Sequence, residues 1–138
     1  PSLFDLPEIK GYRLTEQIGT GGMGRVFAGE ELQLSREVAI KVLQPSADAT
    51  RFILESKITS QLPHPNIPPV YSLGMLENGS PYLVMKRIQG KNLQECLRER
   101  VTPDADLTHW VNVFESICQA VAFAHAQGII HRDLKPAN

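Results

Sequence analysis

Ile18-Gly19-Thr20-Gly21-Gly22-Met23-Gly24-Arg25-Val26-Phe27 decides how this chain folds, because a cluster this rich in glycine makes a turn and the residues after it say which kind. A Gly-x-Gly-x-x-Gly spacing that opens a helix would set a dinucleotide pyrophosphate on the helix N-terminus. Here Arg25-Val26-Phe27 continue as a strand, and no βαβ unit follows. A dinucleotide-dependent oxidoreductase is therefore disfavoured. The alternative is a hairpin with arms at Ile9 to Ile18 and Arg25 to Glu31 and a glycine-rich tip. With no side chains intervening, backbone N–H groups at such a tip can approach triphosphate oxygens, while Ile18 and Val26 cover a base.

Outward from the hairpin, Glu37 to Leu43 alternates, with Val38, Ile40 and Val42 on one face and Ala39, Lys41 and Leu43 on the other. Asp48 or Thr50 caps a predicted helix running to about Leu62, on which Glu55, Ile58 and Leu62 share a face. His64-Pro65-Asn66 breaks it. Ile67 to Leu73 and Pro81 to Ile88 read as two further strands around a turn at Glu77-Asn78-Gly79-Ser80. Pro68-Pro69 should keep part of the first from pairing through N–H groups. A short helix follows near Leu93 to Glu99. A long one spans about Thr108 to Ala126, where Trp110, Phe114, Ile117, Val121 and Ala124 recur at helical spacing and Gly128 supplies a stop.

The composition is that of an ordinary globular chain: 138 residues, 42% hydrophobic, 21% charged, formal net charge −1. So balanced a charge gives no overall field for nucleic acid or an anionic membrane, so phosphate handling must be local. Cys96 and Cys118 stand far apart without metal-ligand spacing, which fits packed thiols in a reducing, cytoplasmic setting. His64, His109 and His125 share no ligand spacing either. No apolar run approaches a membrane span of roughly 18 to 20 residues. Pro1 in place of Met, and Asn138 directly after a dense polar motif, read as the ends of a fragment.

Two constellations carry chemistry. Lys41 shares a strand face with the small Ala39, and the face assigned to Glu55 points that carboxylate inward, where it wants a cation. A buried Lys–Glu pair is costly to desolvate and contributes little to stability, so a functional use, holding the ammonium against nucleotide phosphates, explains it better. At the far end, His131-Arg132-Asp133-Leu134-Lys135-Pro136-Ala137-Asn138 follows a helix stop. Asp133 offers a carboxylate to orient and deprotonate a hydroxyl, Lys135 a cation for a transferring phosphoryl group, and Asn138 an amide oxygen for Mg2+.

In this order the motifs resemble a eukaryotic-type (Hanks-type) Ser/Thr protein kinase of the bacterial kind, from Ile18 to Asn138. The resemblance implies an α+β architecture: a small lobe, residues 1–88 with the hinge, built of a five-stranded antiparallel sheet and an αC helix. The start of a helical large lobe follows at 89–138. It implies ATP and Mg2+ as cofactors, with ATP at Ile18, Gly19, Thr20, Gly21, Gly22, Gly24, Val26, Ala39, Lys41, Met85, Lys86 and Ile88. Met85 becomes the gatekeeper, and the Lys86 C=O and Ile88 N–H become the adenine contacts. Asp133 becomes the catalytic base, with Lys135, Lys41 and Glu55 beside it, and Asn138 a metal ligand. His131 is packed and structural in that family, and His64-Pro65-Asn66-Ile67 matches the turn after αC.

Lys86-Arg87 departs from the acidic-then-aromatic pair usual after the gatekeeper and should alter the pocket mouth. Lys135-Pro136 favours serine and threonine over tyrosine in a protein substrate, and Arg132 implies docking of a phosphorylated activation loop. The family's DFG aspartate, the second metal ligand, would follow Asn138. The 138 residues alone should therefore be inactive, and a pseudokinase-like nucleotide- or partner-binding module is the alternative. No membrane contact is expected within this segment, and the oligomeric state is not legible in it.

Overall fold

The computed structural model describes residues 6–138 and divides into two compact units. The first carries a five-stranded antiparallel sheet of order β1-β2-β3-β5-β4 and one helix. Its elements are β1 (Tyr12–Thr20), β2 (Gly24–Glu31), β3 (Arg36–Leu43), α1 (Ala49–Ser60), β4 (Val70–Met75) and β5 (Pro81–Lys86). The second unit comprises His64–Ile67 and Gln89–Asn138, with α2 (Leu93–Glu99) and α3 (Leu107–Ala126).

The alternation in β3 sorts the apolar residues onto two faces. Val38, Ile40 and Val42 join Ile9, Phe27 and Val84 in one buried cluster, packed against the half-buried Tyr12, Tyr71 and Tyr82. Leu43 and Leu83 meet Phe52 of α1 in the other. Ile9, expected to begin β1, is instead a core residue, because Gly11 at φ +88° turns the chain and Tyr12 N–H bonds back to the Ile9 carbonyl.

At the other end β1 runs on to Thr20 and β2 begins at Gly24, so the turn shrinks to Gly21–Met23. It is closed by Gly21 N–H donating to the Gly24 carbonyl at 2.9 Å. β4 begins only at Val70, after the two prolines, although the Pro69 carbonyl still accepts from Lys86 N–H at 3.0 Å. Within β4, Gly74 sits opposite Tyr82, and a Cβ added there would overlap the tyrosine ring.

Helix α1 starts where expected, with the Asp48 carboxylate accepting from Arg51 N–H at 3.1 Å, and ends at Ser60. Its orientation differs from the expected one. Phe52 and Ser56 are its buried residues, whereas Glu55 is exposed. Phe52 is the largest apolar side chain on the helix, and Ser56 is small and satisfies its own hydroxyl on the Phe52 carbonyl. That pair outcompetes the Glu55, Ile58 and Leu62 stripe for the sheet.

In the second unit α2 opens with a reciprocal capping box between Asn92 and Glu95. The apolar recurrence along α3 splits: Trp110, Val121 and Ala124 are half-buried, while Phe114 and Ile117 are exposed beside Leu107 and Val111. Gly128, at φ +76°, ends the helix as expected. Its neighbour His64–Ile67 belongs here because Asn66 Nδ2 donates to the Ser116 carbonyl at 3.1 Å and the His64 ring lies 5.3 Å from that of Phe123. Among the described residues no helix is long and apolar enough to cross a membrane.

Candidate active site

Residues directly opposite in neighbouring strands share a sheet face, so the register gathers the candidate nucleotide-binding residues of the first unit. Gly19, Val26, Lys41 and Leu83 form one cross-strand row, and Ala28, Ala39 and Met85 the next. The expected base-covering and phosphate-holding residues Val26, Ala39, Lys41 and Met85 therefore lie on one face, the face that also carries Leu43 and Phe52. Ile18 is skipped by the β1–β2 ladder, at an irregularity between Gln17 and Gly19, and is 44% exposed. Thr20 is exposed as well, and Lys86 and Ile88 are exposed at and beyond the end of β5.

The glycines divide by physical cause. Gly21 and Gly22 have nothing within 4 Å of an added Cβ, whereas at Gly24 the added atom would overlap the Val42 carbonyl oxygen. Open space above Gly21 and Gly22 suits a ligand approaching the backbone. Gly24 is required by the β2–β3 contact itself, a packing role that the sequence spacing did not distinguish.

Lys41 and Glu55 do not form the expected pair. Glu55 Oε1 is bonded to Arg51 Nε at 2.8 Å, one helical turn away, and the Lys41 ammonium lies 5.9 Å from the centroid of the Phe52 ring. Glu55 raises the Arg51 pKa, through the hydrogen bond first and charge second. The i, i+4 spacing of Arg51 and Glu55 was visible in the sequence; its competition with Lys41 was not.

In the second unit, Arg132 adopts φ +70°, a left-handed conformation uncommon outside glycine, at the turn that leads into Asp133. His131 Nδ1 accepts from Asp133 N–H at 3.1 Å, a loop-ordering contact. Asn138 Nδ2 donates to the Asp133 carboxylate at 3.0 Å and to its carbonyl at 2.7 Å, which leaves the Asn138 amide oxygen as the acceptor end. Lys135 Nζ lies 3.5 Å from the other carboxylate oxygen. The Asn138 bond, and then the Lys135 charge, hold the Asp133 pKa below the ordinary aspartate value. The loop is tied to α2 by Gln94 N–H donating to the Pro136 carbonyl at 2.9 Å. This loop can hold an ionised carboxylate, an ammonium and an amide oxygen within six residues, a donor set for a hydroxyl, a phosphoryl group and a hard cation.

Comparison with known proteins follows the same lines. The protein kinase domain family matches residues 12–138. The serine/threonine-protein kinase PknD of Protochlamydia amoebophila is 34% identical over 92% of this chain and 14% of its own length. The probable serine/threonine-protein kinase PknB of Corynebacterium glutamicum is 39% identical over 92% of this chain and 21% of its own. The crystal structure of the Mycobacterium tuberculosis PknI kinase domain superposes with a TM-score of 0.76 at 26% identity, covering 96% of this chain and 56% of that one. The chain thus spans well under half the length of these curated relatives.

Proposed function

The chain belongs to the protein kinase family, and from that membership we propose that the intact protein transfers the γ-phosphoryl group of ATP to serine or threonine hydroxyls of protein substrates. The observation that carries this reading is the Asp133 carboxylate, held ionised by Asn138 with Lys135 alongside. Asp133 orients the attacking hydroxyl and takes its proton as the oxygen bonds to phosphorus. Lys135 offsets charge on the transferring group, and ADP leaves. Lys41, in one row with Gly19 and Val26, holds the phosphates under the open Gly21–Gly22 backbone. Lys135-Pro136 and the names of the relatives favour serine and threonine as acceptors.

Mg2+ fits the catalytic loop, because the Asn138 amide oxygen is left as an acceptor beside a carboxylate, the hard oxygen donors this cation takes. When bound it neutralises phosphate charge. Asn138 and Asp133 do the positioning there: the amide NH2 is committed to Asp133, so the amide cannot turn its nitrogen toward a cation.

Incubation of the intact protein with ATP, Mg2+ and serine/threonine peptides tests this. Phosphopeptide is expected from the native protein and not from Asp133→Asn. A second reading, a nucleotide- or partner-binding module without transfer, is favoured by the Arg51–Glu55 pair, which leaves Lys41 without its family partner. Tight ATP binding by the native protein with no phosphopeptide formed would select that reading. The family places its second metal-binding aspartate after this loop, so the 138-residue chain alone is expected to turn over little, and Mg2+-dependent transfer by the purified chain would refute this.

A further inference from the structure

Arg87 Nη2 lies 3.5 Å from Glu16 Oε1, and this ion pair crosses the sheet. Glu16 is on the edge strand β1, while Arg87 immediately follows β5, with β2 and β3 between. The register explains how so long a crossing is bridged. Glu16 is opposite Ala28, Ala28 opposite Ala39, and Ala39 opposite Met85, so all four share one face, with Arg87 two residues past Met85. The middle of the row holds only methyl groups, and both alanines are almost wholly buried, at 0% and 5% exposure. Arg87 is itself largely covered, its side chain 24% exposed.

The β1 end needs such a tie. Its ladder with β2 is irregular between Leu14 and Glu16 and again between Gln17 and Gly19, so the segment carrying Glu16 and Gln17 is flanked by two breaks. Ile18, at the second break, and Ile88, one residue beyond Arg87, are both expected nucleotide contacts.

We infer that Glu16 and Arg87 are a pair of positioning residues, a clasp that fixes the base-covering end of β1 against the chain after β5 and so sets the width of the adenine slot. The inference rests on the ATP reading above. It also gives a use to the Lys86-Arg87 departure, since Arg87 supplies the cation of the pair.

The test is a charge swap in the intact protein: Glu16→Arg, Arg87→Glu and the double variant, titrated with adenosine and with ATP. Each single change is expected to weaken both ligands about two- to fivefold, the scale of a partly exposed ion pair, and the swap to restore native affinity. Adenosine separates positioning from a direct effect of charge on the phosphates, which would move ATP alone. Where a reversal unfolds the protein, Glu16→Gln and Arg87→Gln are expected to show the same loss. Unchanged adenosine affinity in the single variants, or a swap that fails to recover it, overturns the clasp and leaves the ATP reading standing. A native protein that binds neither ligand overturns both.

Discussion

Arg51 and Glu55, one turn apart on α1, hold each other by a hydrogen-bonded ion pair of 2.8 Å. The helix buries Phe52 and Ser56 instead, and at about 100° per residue the Glu55 direction lies roughly 80° away from the middle of that buried face. For Glu55 to serve Lys41, α1 must turn about its axis and Arg51 must let go.

Arg51→Ala should therefore release Glu55 at little expense to stability, since the pair is exposed. Phosphoryl transfer by the intact protein is expected to be retained or raised. A rate that falls while the denaturation midpoint is unchanged would show that Arg51 supports the active arrangement.

Lys41→Met should separate chemistry from folding. Lys41 is half-buried on the sheet face and near Phe52, where methionine packs as well. Turnover is expected to fall about a hundredfold or more, the scale of losing one preorganised charge contact, with the urea midpoint almost unmoved. Near-native turnover would remove Lys41 from the phosphate site.

Two glycines of one motif should fail differently. Gly24→Ala places a methyl group into the Val42 carbonyl and is expected to destabilise the fold by about 1–3 kcal/mol. Gly21→Ala meets open space, so the denaturation curve should be native while ATP affinity drops. Equal effects on stability would contradict this division of roles.

The Asp133 carboxyl is held below its usual range, first by Asn138 and then by Lys135. The ionised form is thus favoured in the fold. Whatever stability this adds is complete above the unfolded aspartate pKa and lost as pH falls through the lowered folded value. The acid limb of kcat/KM should accordingly lie below the ordinary aspartate range. In Asn138→Ala, with the leading cause removed, that limb should move to higher pH; a limb that does not move would mean that another group sets it.

Much of this was legible in the residues. The strict alternation of β3 sorts the two cores, and Asp48 and Gly128 mark helix ends that the structure keeps. The face of α1 is not legible because Ile58 and Leu62 suggest one stripe, while the single bulky Phe52, joined by a self-satisfied serine, decides the packing. The end of β1 is not legible because a glycine-rich stretch signals a turn, whereas Gly19 and Thr20 still pair with Val26 and Arg25 beyond the second irregularity. The Glu16–Arg87 pair could not be read at all. It links residues 71 positions apart in a sheet whose strand order departs from chain order.

The Tyr82 ring rests on the bare backbone of Gly74 while meeting Tyr12 edge-on at 6.5 Å. Among the described residues β4 is an edge strand of the sheet, and a glycine within it weakens the side-chain pattern that fixes register. A slip by one residue would bring Leu73 or Met75 opposite Tyr82, and the ring would have to leave its neighbours. A hydrogen atom in place of a side chain thus works as a gauge during folding, accepting β4 in one alignment and rejecting the two beside it.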